Sequence, residues 1–373
     1  MSLPFLKDVG NLRGKRVLLR LNLDLPVLNG ALRDTHRIDS VKKTLGFLKE
    51  QKAKTFIVGH TGRNPKETLR PAFEYLKKTL PIEFAQTFEG AKKMLAELPD
   101  GKFILLENLR SFPGEMANDQ EFAKELASLA DLYVNEAFAV SHREHASIVG
   151  VPKLLPSYAG FVFAEEVEHL SKAFSPAHPA LLILGGAKFE TKTPLIERFL
   201  DIADNVYIGG ALANDIYRAR GYEVGVSLVS NCEIGPRLLE NPKLHVPSDI
   251  IARTDLESVE KGADNVGKTE KIVDIGSGGI ADLRVLVEKA AFVLWNGPLG
   301  EYEAGFDQGT IALAQELAEC DAETIIGGGD SIAVVSKLGL LPRFSFVSTG
   351  GGAMLEFLAN ETLPGIEALL KRN

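Results

Sequence analysis

Short apolar runs alternate with amphipathic stretches along the whole chain, and this alternation most constrains its fold. The runs are continuously apolar, as in Thr55–Val58, Phe103–Leu106 and Phe292–Trp295. Strands buried on both faces have this pattern, which is typical of parallel sheets covered by helices. Stretches such as Asp119–Leu129 and Thr310–Ala318 repeat with helical spacing. The sequence therefore predicts an α/β protein.

Two doubly wound, Rossmann-like parallel-sheet domains joined by a helix and hinge fit this chain better than one barrel. Its 373 residues suggest about two domains, and eleven predicted strands are too many for an eight-stranded barrel. The predicted strands are Val17–Leu21, Thr55–Val58, Phe103–Leu106, Leu132–Val134, Leu181–Leu184, Val206–Ile208, Asp249–Ala252, Lys271–Ile275, Phe292–Trp295, Thr324–Ile326 and Phe344–Val347. We expect domains at 1–157 and 176–354, a linking helix and hinge at 158–175, and a tail at 355–373 that can return to the first domain.

Charge is unevenly distributed between the two halves. Residues 1–157 carry a net charge of +5 and residues 158–373 a net charge of −13. The acidic half argues against nucleic-acid binding, whereas the basic half favours a small anionic ligand. No apolar run has the length of a membrane span and no signal peptide is visible, so we expect a cytoplasmic protein without a membrane partner. We also expect a monomer.

Polar and cationic residues follow the strands of the first half. Ligands of open α/β sheets bind beyond the carboxyl ends of the strands. The residues predicted there are Asn22, Asp24, Arg37, His60, Thr61, Gly62, Arg63, Arg110, His142, Arg143 and His145. Arginine side chains bind carboxylate and phosphate in bidentate fashion, and four at one sheet edge are hard to explain as surface ion pairs. The first half therefore predicts a site for a small polyanion.

Glycines and lysines follow the strands of the second half. The segments are Gly185–Lys188, Gly209–Ala211, Gly276–Gly279, Asn296–Gly300, Gly327–Ser331 and Ser348–Ala353. Two of them contain three consecutive glycines before a helix-forming stretch. Glycines let backbone amides approach a ligand closely, and a helix N-terminus attracts phosphate. With Asp330 at one helix start, the pattern favours a nucleotide phosphate or Mg²⁺ site.

Two nucleotide-binding patterns in this half are weaker than they look. The segment Gly262–Thr269 matches a P-loop, but it follows a charged stretch and precedes a strand, so we interpret it as a solvated turn. The segment Gly276–Ala281 matches a dinucleotide fingerprint between strand and helix. However, Asn296 stands where the acidic residue is expected. The fingerprint therefore leaves an NAD-dependent dehydrogenase open as a hypothesis with weak support.

The strand-end residues resemble the phosphoglycerate kinase family over essentially the whole chain. The segments that carry the resemblance, in the family's order, are Arg20–Pro26, His60–Arg63, Leu106–Arg110, Asn135–His145, Gly185–Lys192, Trp295–Glu303, Gly327–Ser331 and Ser348–Ala353. The resemblance implies a glycolytic kinase that moves a phosphoryl group between 1,3-bisphosphoglycerate and ADP, with Mg²⁺ accompanying the nucleotide. It also implies that the domains close about a hinge. An ionised carboxylate acceptor has no proton to remove, so no general base is needed.

The resemblance also implies roles for individual residues. The implied phosphoglycerate ligands are Asn22, Asp24, Arg37, His60, Thr61, Gly62, Arg63, Arg110 and Arg143. The implied catalytic residues, which stabilise the transferring phosphoryl, are Arg37, Lys188, Lys192, Gly328 and Gly351. The implied nucleotide ligands are Gly186, Lys192, Gly209, Gly210, Asn296, Glu303, Gly328, Gly329, Asp330 and Ser331. Asp330 would hold Mg²⁺ and Glu303 the ribose.

Several positions depart from the family pattern. The family has Asp where this chain has Asn22 and Asn where it has Asp24, so the pair is exchanged. Glu190 and Thr191 replace a small residue followed by Asp, and Ser331 replaces Thr. These changes leave open a second hypothesis, a catalytically weak relative that binds sugar phosphate or nucleotide. Intact Arg37, Lys188, Lys192 and Asp330 favour the enzyme.

Overall fold

The computed structural model of the chain describes residues 3–33 and 35–371. Internal contacts divide it into two units. The first contains the described residues up to Glu168 and those from Thr362 onward, and the second runs from His169 to Glu361. Each unit has its own six-stranded parallel sheet with helices, so the predicted α/β class with two parallel-sheet domains is confirmed.

The first unit is built on a sheet of order β5–β6–β4–β1–β7–β8. Its elements are β1 (Arg16–Leu21), β2 (Val27–Leu28), β3 (Ala31–Leu32), α1 (His36–Ser40), α2 (Lys42–Glu50), β4 (Lys54–Val58), α3 (Arg70–Leu76), β5 (Ile82–Ala85), α4 (Phe88–Ala96), β6 (Phe103–Leu106), α5 (Pro113–Met116), α6 (Gln120–Ala127), β7 (Leu132–Glu136), β8 (Ser157–Ala159) and most of α7 (Phe161–Ser171), whose last three residues belong to the second unit. Side chains from Thr87 and Asp119 accept backbone N–H bonds at the starts of α4 and α6, which favours helix initiation there.

The second unit is built on a sheet of order β11–β10–β9–β15–β16–β17. Its elements are β9 (Ala180–Leu184), α8 (Thr193–Ile202), β10 (Asn205–Ile208), α9 (Gly210–Ala219), α10 (Pro236–Leu239), β11 (Leu244–His245), β12 (Asp249–Arg253), β13 (Ser258–Gly262), β14 (Lys271–Ile275), α11 (Ser277–Lys289), β15 (Phe292–Asn296), α12 (Gln308–Glu319), β16 (Glu323–Gly327), α13 (Gly329–Lys337), β17 (Phe346–Val347) and α14 (Gly352–Asn360). The last helix, α15 (Pro364–Leu370), belongs to the first unit.

Two predicted strands of the second half do not join its parallel sheet. Strand β12 lies between β13 and β14 in a separate antiparallel sheet of three strands. Along β12, Ile250 and Ala252 are buried, whereas Arg253 is exposed. This alternation is typical of a sheet with only one packed face. The prediction of a continuous parallel pairing was therefore wrong for these two strands.

Each unit has its own apolar core, and the carboxyl-terminal helix packs on the first one. Strand residues such as Val17 and Ile57 are fully buried in the first core, and Ile183 and Trp295 in the second. The backbone N–H of Gly365, in α15, donates to the Ser141 carbonyl at 2.8 Å. The chain end thus lies beside the segment that follows β7.

Among the helices of residues 3–33 and 35–371, none combines the length and the apolar character that crossing a membrane requires.

Candidate active site

Four neighbouring parallel strands of the first unit end at one edge of the sheet. The strands are β6, β4, β1 and β7, and the predicted phosphoglycerate ligands lie on the loops that follow them or on α1. Because parallel strands present their carboxyl ends together, these loops meet at this edge.

Arg20, at the end of β1, organises the buried side of this edge. Its guanidinium is fully buried, and Nε donates to the Ser147 hydroxyl at 2.9 Å. That hydroxyl donates to Glu115 Oε1 at 2.6 Å, and the Ser147 N–H donates to Oε2 at 2.9 Å. A buried arginine and a buried carboxylate are thus connected through one serine. Each charge has the hydrogen-bonded partner that burial requires.

Arg20 also sets the tautomer of His60. Its Nη2 lies 2.8 Å from His60 Nδ1, and because guanidinium nitrogens only donate, Nδ1 must be the acceptor. The proton of the neutral ring therefore sits on Nε2. Burial, and then the positive charges of Arg20 and Arg110, lower the pKa of His60 to about 2. His60 is thus a neutral hydrogen-bond donor at physiological pH.

Asp24 connects three parts of the predicted site. Its Oδ1 accepts the Gly62 N–H at 2.8 Å, and its backbone carbonyl accepts Arg37 Nη1 at 2.8 Å. The Asp24 N–H donates to Asn22 Oδ1 at a longer 3.4 Å. The exchanged pair therefore ties the loop after β4 and Arg37 to the end of β1. The Asp24 carboxylate already has a protein donor.

Asn108 and Arg110 hold the same loop from the β6 side. The Asn108 side chain accepts the Thr61 N–H at 3.3 Å and donates to the Thr61 carbonyl at 3.0 Å. Arg110 Nη1 donates to the Gly62 carbonyl. Burial, and then the neighbouring Arg143, lower the pKa of Arg110, which indicates closely spaced positive charges. Arg63 is exposed and Arg143 is half-buried, so both have surface accessible to an anion.

Three backbone segments interlock at the corresponding edge of the second unit. The Gly185 N–H donates to the Asn296 carbonyl at 2.9 Å, and the Gly186 N–H to the Pro298 carbonyl at 2.8 Å. Gly210 has φ +59°, and a Cβ there would lie 2.7 Å from the Gly186 nitrogen. Only glycine therefore allows the loops after β9, β10 and β15 to approach this closely.

A cavity of about 380 Å³ opens beside these loops within the second unit. Of the predicted nucleotide ligands, its lining includes Gly186, Gly210, Glu303 and Asp330. Apolar residues such as Leu299 complete the walls. A concave, mostly apolar pocket with a few polar groups is the expected form of a small-molecule site.

The two predicted lysines differ in their surroundings. Lys188 is exposed and adopts a left-handed conformation with φ +66°. Lys192 is buried, and its Nζ donates to the Ala187 carbonyl at 2.9 Å. Burial, and then the positive charge of Lys188, lower the pKa of Lys192. Two ammonium groups therefore border the loop that carries Gly186.

Both triple-glycine segments lead into helices, as predicted. Gly328, with φ +92°, precedes α13, and Gly351, with φ +54°, precedes α14. Gly329 and Asp330 are exposed in the first turn of α13. Ser331 is fully buried, and its hydroxyl has no hydrogen-bond partner among the described residues. Asn296 is buried beside Gly328, and Gly209 immediately precedes α9. Hence glycine backbone and the exposed Asp330 carboxylate lie at this edge.

Neither of the weaker nucleotide patterns forms a phosphate site. The amides of Gly278 and Gly279 donate to the Asp249 carboxylate at 2.9 and 2.6 Å, so the start of α11 is already capped by an anion. The P-loop match lies in the turn between β13 and β14, where the Gly267 amide donates to Glu270. The interpretation of that segment as a turn is confirmed. The hypothesis of a dehydrogenase loses its only support.

No sequence pattern assigned a role to the residues that hold the predicted ligands in place. Arg20, Glu115, Ser147 and Asn108 are all fully buried. A usable signal existed for Arg20, which interrupts an otherwise apolar strand. No local pattern distinguishes Glu115 from a solvated helix carboxylate.

Comparison with known proteins agrees with this geometry. The model of the phosphoglycerate kinase family matches residues 6–361. Phosphoglycerate kinases from Methylorubrum populi and Fervidobacterium nodosum are each 39% identical to the chain, over 98% of this chain and 98% and 97% of theirs. The solved phosphoglycerate kinase from Coxiella burnetii is 35% identical, covers 100% of both chains and has a TM-score of 0.86. That from Pyrococcus horikoshii is 30% identical, covers 99% of this chain and 98% of its own, and has a TM-score of 0.85. The chain belongs to the phosphoglycerate kinase family.

Proposed function

We propose that this chain transfers a phosphoryl group between 1,3-bisphosphoglycerate and ADP, giving 3-phosphoglycerate and ATP. One observation carries the proposal: in each unit, the residues at the carboxyl ends of the strands have the chemistry that one of the two substrates needs. The first edge presents Arg37, Arg63, Arg110 and Arg143 together with the neutral donor His60. The second presents glycine amides, two lysines and a cavity.

The first edge suits a small molecule with a phosphate and a carboxylate. Arginine forks bind both groups, and the neutral Nε2–H of His60 can donate to an oxygen without adding charge. Arg37 is held by the Asp24 carbonyl through Nη1, and its guanidinium would donate to the transferring group. The acceptor oxygen belongs to an ionised carboxylate, so no side chain has to remove a proton from it.

The second edge suits the phosphates of ADP and ATP. Lys188, Lys192 and the amides around Gly328 and Gly351 can stabilise charge on the moving phosphoryl. Gly186, Gly209 and Gly210 would border the base, and Glu303 would accept from the ribose. Asp330 is an exposed carboxylate on the cavity wall, the hard oxygen donor that Mg²⁺ takes together with phosphate oxygens. When bound with the nucleotide, Mg²⁺ would neutralise phosphate charge.

The two substrates would bind on different units, so transfer requires a hinge movement that joins them and excludes water. A glycolytic role, a cytoplasmic location and a monomeric state complete the proposal, and they rest on the family relationship.

A catalytically weak relative is the alternative, and the exchange of Asn22 and Asp24 is its support. The Asp24 carboxylate is, however, held by the Gly62 amide. A coupled assay of ATP-dependent phosphorylation of 3-phosphoglycerate tests the choice, with Lys188→Ala as a control variant. Turnover that depends on Mg²⁺ and Lys188 supports the enzyme. Tight binding of both ligands without turnover would support the weak relative.

A further inference from the structure

The left-handed backbone of Lys188 needs support from its surroundings. This conformation, with φ +66° and ψ +68°, is unfavourable for residues other than glycine and persists only where neighbouring structure determines it. Lys188 immediately precedes the single 3₁₀ turn Phe189–Thr191. Its ammonium position therefore depends on how that turn is anchored.

A serine from a distant loop anchors the turn. The Phe189 N–H donates to the Ser230 hydroxyl oxygen at 2.9 Å. Ser230 lies beyond α9, in the irregular segment before α10. The Phe189 side chain is almost completely buried, so the residue after Lys188 is held through both its side chain and its backbone.

Ser230 is itself fixed by a buried carboxylate on α9. Its N–H donates to Asp215 Oδ1 at 2.7 Å, and its hydroxyl also bonds with this carboxylate. Arg218 Nη2 donates to the Ser230 carbonyl at 2.5 Å and lies 3.4 Å from Asp215 Oδ1. An ionised Asp215 accepts the hydroxyl proton, which leaves the oxygen lone pairs of Ser230 free for the Phe189 N–H.

Burial of the Asp215 carboxylate costs folding free energy. The residue is 2% exposed, and burial raises its pKa, an effect that the Ser230 bonds and Arg218 oppose. Helix α9 also presents Ala213 and Ile216 to the interior, so an apolar residue would suit the helix equally well. The carboxylate therefore has a use in the bonds that it accepts.

We propose that Asp215 is a positioning residue for phosphoryl transfer: acting through Ser230 and the Phe189 amide, it places the Lys188 ammonium at the transferring phosphoryl. The inference rests on the proposed function, because it needs Lys188 to act on that group. It assigns no substrate contact to Asp215 or Ser230.

Four variants test the inference by kinetics in the full chain. Ser230→Ala and Asp215→Ala should each lower kcat about 10-fold or more while the KM for ATP changes less than about threefold, since small misplacements of a reacting group are costly. Asp215→Asn keeps an acceptor for the Ser230 N–H and should recover most of the rate. Asp204→Ala is the matched control, because the Asp204 carboxylate also accepts a backbone N–H, that of Ala180. This bond lies at the amino end of β9, whereas the predicted site lies at the carboxyl ends of the strands. The kcat of this variant should stay within twofold of the original chain.

A double-mutant cycle distinguishes an effect of Ser230 that acts through Lys188 from a general structural effect. In a Lys188→Ala background, Ser230→Ala should have almost no further effect on kcat, whereas an unrelated structural loss would remain additive. Full kcat in Ser230→Ala, or additivity with Lys188→Ala, would overturn the inference. If Asp215→Ala fails to fold, the half-buried Ser230 decides the question alone. Absence of turnover in the original chain would refute the proposed function instead.

Discussion

Replacing Gly210 by alanine should damage the nucleotide site through a backbone collision. The new Cβ would lie 2.7 Å from the Gly186 nitrogen and 2.8 Å from the Pro298 carbonyl oxygen. Ordinary carbon contacts begin near ~3.4 Å, so the facing loops would have to move by roughly 0.7 Å. The residue would also occupy φ +59°, which costs an L-residue about 1–2 kcal/mol.

Gly221 offers a matched control for this change. It has φ +85°, but apart from Gly221 itself and its two chain neighbours, no heavy atom of the described residues lies within 4 Å of the Cβ that alanine would add. Gly221→Ala should therefore lower the free energy of unfolding by about 1–2 kcal/mol through its backbone angle alone. Gly210→Ala should lower it by about 2–5 kcal/mol, because overpacking adds about 1–3 kcal/mol.

The two variants should differ most in nucleotide binding. Isothermal titration should give Gly210→Ala at least about tenfold weaker ADP binding, or about 1.4 kcal/mol, while Gly221→Ala binds ADP normally. Binding of 3-phosphoglycerate should be unchanged in both variants. Normal ADP affinity in Gly210→Ala, with a stability loss no larger than that of Gly221→Ala, would refute the interlocked-loop account.

Four further tests address other parts of the site. Arg37→Ala should lower kcat by about 10²–10³ with little change in nucleotide KM, as for loss of a donor to the transition state, and a near-normal kcat would remove Arg37 from the mechanism. In separate titrations Arg63→Ala should weaken only 3-phosphoglycerate and Asp330→Ala only Mg-nucleotide, so equal effects on both ligands would contradict the division between units. Asn22→Asp should lower kcat/KM more than Asp24→Asn does. The double variant should recover activity beyond the sum of the two single effects, by a coupling energy of roughly 0.5–3 kcal/mol, and strict additivity would make the two positions independent. His60, whose pKa is lowered to about 2, stays neutral in the folded chain but takes a proton below about pH 6.5 in the unfolded chain, so its contribution to stability is lost as the pH falls. Between pH 7 and pH 5, urea unfolding should show the original chain losing about 2 kcal/mol more of its free energy of unfolding than His60→Gln. Equal losses in the two proteins would disprove the buried neutral ring.

The sequence was most informative where one physical pattern repeats. Continuous apolar runs such as Phe103–Leu106 and Phe292–Trp295 became interior parallel strands, and the residues after them lie at the expected sheet edges. Short edge strands such as Ile82–Ala85 and Leu244–His245 were missed, because few apolar residues mark them. Strands β12 and β14 pair antiparallel with each other, and β12 also pairs with β13, in which three of five residues are exposed, so no apolar run marks the β13 strand.

Residues that support the site were the hardest to predict. Glu115 is 32 positions from Ser147, and Asp215 is 15 positions from Ser230. Their bonds follow from tertiary packing and have no local spacing rule. The predicted ligands were visible because they cluster directly after strands, whereas their supports are scattered over helices and loops. Asp24 illustrates the difference, since its bond with Gly62 appears only when two strand ends meet.

Transfer of a labelled phosphoryl group tests the central claim most directly. The chain is incubated with Mg²⁺, 3-phosphoglycerate and ATP labelled at the γ-phosphate, and hydroxylamine is then added to trap acyl phosphate as a hydroxamate. The account predicts label in 1,3-bisphosphoglycerate before trapping, released as phosphate by hydroxylamine, and much slower transfer of label with Lys188→Ala. Binding of both substrates with no label leaving ATP would contradict it.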